Sequence, residues 1–236
     1  MSIFNDISAI QNIIYIFSSI LFISGIKMLG KEDTAVKGNF LSAMAMFIAV
    51  SVTLINVVNP IIVIMGIAIG AIIGSLIALK VKMTSIPEMV ALFNGFGGLA
   101  TFFIAWSEFN AMPDNLFQYV LIMLTTYIGG VTFSGSIIAY GKLSEKLKIQ
   151  KDSIITKLFT TVFYVSILFL VYSTAFTSFI EIPIDFYKVL LILTLLGGIG
   201  FVLPIGGGDM PVVISLLNSF SGIAAAFAGL LLLNNV

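Results

Sequence analysis

The run GGGDMPVVISLLNSFSGIAAAFAG, residues 206–229, decides how this chain is read. Three glycines and an acid, Asp209, precede Met210-Pro211, and an apolar run long enough for a membrane helix follows. Proline suits a first helical turn, where its missing N–H is no loss. Gly206, Gly207 and Gly208 give the backbone freedom just before it. Ser215, Asn218, Ser219, Gly222, Ala226 and Gly229 recur on one side of the helix, at spacings of three, four or one. Such a stripe on an apolar helix marks a face that packs on other helices or lines a path. The reading is a hinge placed before a functional membrane helix.

The rest of the composition agrees. Of 236 residues 59% are hydrophobic and 9% charged, and the mean hydropathy is +1.17. A soluble domain carries about 25% charged residues, so this is an all-α, polytopic membrane helix bundle. The zero net charge says nothing about partners, because only the distribution of charge matters here. The sequence has no cysteine and no histidine, which excludes disulfides, thiolate or imidazole metal sites and a histidine proton relay. Its basic residues, all lysine, form no cluster interleaved with aromatics, which argues against nucleic-acid binding.

Eight spans are expected, at residues 7–26, 40–58, 61–79, 88–106, 116–140, 158–180, 186–204 and 211–233, each near the ~20 residues a helix needs to cross. The whole chain is taken as one transmembrane domain. The third span carries Gly66, Gly70 and Gly74, a repeated small-xxx-small face that favours close helix packing. The fourth carries Asn94, Gly95, Gly97 and Gly98, and the fifth Thr125, Gly129, Thr132 and Ser136.

Lysines set the expected orientation. Lys27, Lys31, Lys37, Lys80, Lys82, Lys142, Lys146, Lys148, Lys151 and Lys157 fall in the connections after spans one, three and five; only Lys188 lies opposite. The positive-inside rule puts that face in the cytoplasm, with both termini outside (N-out, C-out) and the 206–209 hinge inside. Counting 1.5 Å per residue sets Asn94 and Asn218 roughly 10 Å from the cytoplasmic face, with Ser136 and Thr132 about 6 and 12 Å from Gly141. Four uncharged polar groups then share one layer.

Each feature has a plainer reading. Thr132 and Ser136 have the plainer reading of bonding their own helix, as intramembrane hydroxyls often do. Asn94 and Asn218 serve equally as glue between helices or as part of a conduction path. Without an ionisable group the layer orients water but holds no proton. Glu88 reads as a charge on a helix start. Asp209 reads as a helix cap or as a contact with a cytoplasmic partner. Glu108, Asp114, Glu181 and Asp185 read as exterior loop charges. The GGxG of Gly197, Gly198 and Gly200 sits inside an apolar span, where a nucleotide-binding reading is very weak.

Three runs in order, IPEMVALFNGFGGLA (86–100), GGVTFSGSIIAYGKL (129–143) and the 206–229 segment, resemble the β-subunit membrane domain of proton-translocating NAD(P) transhydrogenase. The early connection, with Lys31, Thr34 and Gly38-Asn39, agrees. The resemblance covers nearly the whole chain. It implies a membrane domain that couples proton movement to hydride transfer between NADH and NADP+ in a complete enzyme, an oxidoreductase and translocase. NAD and NADP would bind other parts of that enzyme and not this chain. It implies Asn94, where family members carry His or Asn, together with Ser136, Asn218 and Thr132 on the proton pathway. It places Asp209, with Gly206, Gly207 and Gly208, where membrane events meet the NADP(H)-binding domain. Asn at position 94 favours water carried by a hydrogen-bonded network over protonation of the residue itself.

The implied partners are α-type subunits carrying the NAD(H) domain, the NADP(H)-binding domain, a second copy in a homodimer, and the lipid of the cell's inner (plasma) membrane. In the family the β subunit continues through one more helix to the NADP(H) domain, so a fragment or split subunit is expected here. The reading from a different class is a stand-alone transporter or channel for a small solute or cation, with a midplane site at glycine-broken spans.

Overall fold

The computed structural model describes residues 2–55, 57, 59–111, 113, 115–149, 153–176 and 184–232. The expected charges Asp114, Lys151 and Glu181, and the span ends at 56, 58, 177–180 and 233, lie outside the described residues. Among those described, the regular elements are all helical: α1 (Ser2–Leu29), α2 (Ala35–Leu54), α3 (Pro60–Lys80), α4 (Ile86–Asn110), α5 (Leu116–Leu143), α6 (Ile154–Phe176), α7 (Ile184–Val202) and α8 (Met210–Leu231). Each contains a segment long and apolar enough to cross a membrane. Helices suit that medium because every backbone group is satisfied within the segment. The chain is a multi-pass membrane protein.

The helices divide into two compact units. In the first, α1 and α2 pack together. They meet where Gly38 faces Gly25: a Cβ on Gly38 would lie 2.7 Å from the Gly25 carbonyl oxygen. The connection is fixed by Thr34, whose hydroxyl donates to the Met28 carbonyl at 2.7 Å. Tyr15 and Thr53 hydroxyls lie 3.0 Å apart across the pair. α3 differs from the packing expected of its glycines. None of its residues is buried, and no atom of its unit comes within 4 Å of a Cβ built on Gly66, Gly70 or Gly74.

In the second unit α5 is the central helix, packed against α4, α6, α7 and α8. Its start is capped by the Asn115 side chain, which accepts from the Gln118 N–H at 3.0 Å. Pro87 and Pro211 occupy the first turns of α4 and α8. The GGxG of α7 is a packing device. A Cβ on Gly197 would lie 2.6 Å from Ser166 Oγ, one on Gly198 would lie 2.8 Å from Val131 Cα, and one on Gly200 would lie 3.2 Å from Phe163 Cβ. These positions let α7 press into both α5 and α6, so no nucleotide reading is needed for them.

The opposite end of this unit is held by Tyr187. Its ring stacks on Phe109 at 3.8 Å between centroids, and its hydroxyl lies 2.7 Å from that of Thr126. Tyr187 is 1% exposed. Removing one partner of a buried hydrogen bond costs about 1–3 kcal/mol. Tyr187→Phe takes the partner from the fully buried Thr126 hydroxyl and is expected to cost about that much. Thermal unfolding in detergent checks it.

Candidate polar pathway and hinge

α4 reaches α5 closely because Gly95 and Gly98 face it. A Cβ on Gly95 would lie 3.1 Å from Ser136 Cβ, and one on Gly98 would lie 2.8 Å from the Gly129 carbonyl oxygen. This approach brings Asn94, on the same α4 face, against Ser136. The Asn94 Nδ2 donates to Ser136 Oγ at 3.0 Å. From the third helix, α8, the Ser221 hydroxyl donates to Asn94 Oδ1 at 2.7 Å and lies 3.4 Å from the Asn94 carbonyl oxygen. One amide therefore joins α4, α5 and α8. Asn94 and Ser136 are buried and Ser221 is half-buried.

The donors in this group have a direction. Ser221 gives its proton to Asn94, Asn94 gives one to Ser136, and the Ser136 hydroxyl retains a proton to donate onward. Thr132 lies one turn back along α5, on the same face by helical spacing. It is fully buried, and its Oγ1 has no hydrogen-bond partner. Buried threonines often bond the carbonyl four residues earlier, but neither Thr132 nor the equally buried Thr125 of this helix does so. Ser134 does, donating to Gly130 at 3.0 Å. An unpaired buried hydroxyl costs about 1–3 kcal/mol and is an acceptor and donor ready for water. Asn94, Ser136, Ser221 and Thr132 are all uncharged, and the group is a set of neutral donors and acceptors.

Asn218 stands apart from this group. The buried face of α8 is Ile214, Leu217, Ala224, Ala228 and Leu231. Ser215, Asn218, Ser219 and Gly222 are exposed on the outer face of the five-helix unit. Ser219 there donates to the Ser215 carbonyl at 3.1 Å. Matched depth therefore brings Asn94 and Ser136 together but leaves Asn218 on another side of its helix. Ser221 takes the inner position, and it carried a signal in the sequence: it interrupts the apolar series 214, 217, 224, 228 at helical spacing.

The hinge is more ordinary than its glycines suggest. Gly206 is extended (φ −70°, ψ 156°), Gly207–Asp209 form one 3-10 turn, and no glycine among the described residues has positive φ. A Cβ on Gly207 or Gly208 would meet nothing within 4 Å. Gly207→Ala and Gly208→Ala are thus expected to fold and to gain about 0.4–1 kcal/mol by restricting the unfolded chain. Thermal unfolding measures this, and a clear loss of stability would show that the hinge must visit another conformation. Asp209 is the residue before α8, yet its side chain makes no capping hydrogen bond and is exposed. Its carboxylate is free to be read from outside the unit.

Comparison with known proteins agrees with the residues. Residues 11–236 match the family described as NAD(P) transhydrogenase beta subunit. Two curated relatives from Rhodospirillum rubrum, both named NAD(P) transhydrogenase subunit beta and one from a specified strain, are each 35% identical over 236 residues. The match covers 93% of this chain and 49% of each relative. The chain spans about half the length of the curated relatives it matches.

Proposed function

The chain belongs to the NAD(P) transhydrogenase beta-subunit family, and from that premise we propose that it is a membrane part through which proton movement is coupled to hydride transfer between NADH and NADP+. The observation that carries the reading is the Asn94 amide, which links Ser221 and Ser136 across three helices in the core of the second unit. The unpaired Thr132 hydroxyl supports a hydrated continuation along α5. A file of neutral donors and acceptors carries a proton only while water completes it. Breaking one link stops transfer, and the protein can therefore gate it by small helix movements.

Asn218 enters the reading as a second polar surface. On an outer α8 face, Ser215, Asn218 and Ser219 are costly to leave against lipid. We assign that face to further helices of the complete enzyme, with Asn218 lining a route between them and α8. Asp209 and the 206–208 glycines then relay the state of the route to the NADP(H)-binding domain. The lysine asymmetry supports a cytoplasmic hinge, with both described ends of this chain outside.

NAD and NADP bind other parts of the complete enzyme in this reading, and not these helices. The α-type subunit with its NAD(H) domain, the NADP(H) domain and a second copy of the assembly are the partners, and the cell's inner (plasma) membrane is the location. The test is hydride transfer from NADH to NADP+ by the complete enzyme in vesicles, with and without an imposed proton gradient. A gradient-stimulated rate that disappears on substituting Asn94 supports the reading. Stimulation that survives removes Asn94 from the route.

A further inference from the structure

The end of α5 makes a tie that the polar route does not use. Lys142 lies in the last turn of α5, six residues beyond Ser136. Its ammonium donates across the unit to backbone carbonyls at the end of α7: Val202 at 3.5 Å, Ile205 at 2.5 Å, and Leu203. Three donors meet three acceptors. These carbonyls are at the negative end of a helix dipole, where a cation is favoured; the Val202 carbonyl also accepts from the Ile205 N–H at 3.1 Å. Pro204 lacks an N–H, which ends the helix here. The carbonyl of Gly200, four residues earlier, is instead approached by the Thr160 hydroxyl at 3.5 Å. Directly beyond the tie is a cleft of about 150 Å³, lined by Lys142, Leu147, Pro204, Ile205, Gly206 and Gly207. One side chain thus fastens the segment entering the 206–209 hinge to the helix that carries Ser136.

We infer that Lys142 is a positioning residue for proton coupling: it holds the hinge in register with α5, so that displacement of the hinge and rearrangement at Ser136 occur together. The inference rests on the proposed function above. The lysine does not touch the Asn94 group and carries no proton along it. A methionine at 142 keeps the stem's bulk but has no donor, and releases the 202–205 carbonyls from α5. An arginine keeps the charge and several donors.

The test compares the native complete enzyme with Lys142→Met and Lys142→Arg forms in vesicles, by two readouts. Hydrogen–deuterium exchange at the amides of residues 205–209 is expected to quicken by about tenfold or more in Lys142→Met, as local opening becomes easier. The ratio of hydride-transfer rates with and without a proton gradient is expected to fall toward one, and Lys142→Arg to recover at least about half of it. Unchanged exchange in Lys142→Met overturns the tie. Faster exchange with an unchanged ratio overturns its role in coupling. If the native enzyme itself shows no response to the gradient, the proposed function fails, while the exchange comparison still decides whether Lys142 holds the hinge.

Discussion

Replacing Asn94 by leucine is expected to lower the gradient-driven rate of the complete enzyme by about 100-fold, equivalent to about 2.7 kcal/mol of barrier. Leucine is close to asparagine in shape but neither donates nor accepts. It removes the acceptor of Ser221 and the donor to Ser136 in one step. Ser136 then loses its donor in the buried core, at a cost of about 1–3 kcal/mol, Ser221 keeps only the Asn94 backbone carbonyl at 3.4 Å, and the file of donors has a dry gap. Asn94→Gln tests placement separately from chemistry. It keeps the amide but moves it by one methylene, and a partial loss is expected. Hydride transfer without a gradient, measured beside the driven rate, separates lost coupling from lost assembly.

The second large effect is expected at the α4–α5 seam. A Cβ on Gly98 would lie 2.8 Å from the Gly129 carbonyl oxygen and 2.9 Å from the Phe133 amide nitrogen. The reciprocal Cβ on Gly129 would lie 2.8 Å from the Gly98 carbonyl oxygen. Both obstacles are backbone, so neither can rotate away and the helices must separate. Gly98→Ala is expected to cost about 3 kcal/mol, the upper end for overpacking. It should also break the Asn94–Ser136 hydrogen bond, because the two helices move apart at that level. Gly97→Ala is the control. Its Cβ meets nothing within 4 Å, and alanine is the better helix former by up to about 1 kcal/mol. Thermal unfolding in detergent should rank the variants Gly97→Ala, native, Gly98→Ala. Equal stability of the two variants would contradict the close seam.

The contrast between Asn218 and Ser221 shows what the sequence could reveal of the site. Hydropathy alone marked the eight helices, because an apolar run of this length has few other uses. Rise per residue gave depth, and depth set Asn94, Asn218, Ser136 and Thr132 in one layer, of which Asn94 and Ser136 are hydrogen-bonded to each other. Depth says nothing of direction around the helix axis. Asn218 and Ser221 are three residues apart, which at 3.6 residues per turn places them about 60° apart. That difference separates the outer face from the core. The small and polar stripe drew attention to Asn218, whereas Ser221 was hidden among the apolar residues that actually pack.

Glycine patterns were read with similar mixed success, for a related reason. Spacing shows that a helix can be approached closely but does not say that a neighbour comes. Gly98 and Gly129 meet each other, while Gly66, Gly70 and Gly74 meet nothing within their unit. In the hinge, three glycines suggested unusual backbone angles, yet none has positive φ. The tie from Lys142 was not legible, since lysine at a helix end is ordinary and its acceptors lie 60 to 63 residues away.

Ser221 offers the most direct measurement, because the structure alone singles it out. Proton movement per NADPH formed should be followed with a pH-sensitive dye in vesicles of the complete enzyme, comparing Ser221→Ala with Ser219→Ala. The inner serine is expected to matter: Ser221→Ala loses about tenfold of the coupled flux, and Ser219→Ala, on the outer face, keeps most of it. Native proton flux in Ser221→Ala would contradict a route through the Ser221–Asn94–Ser136 file.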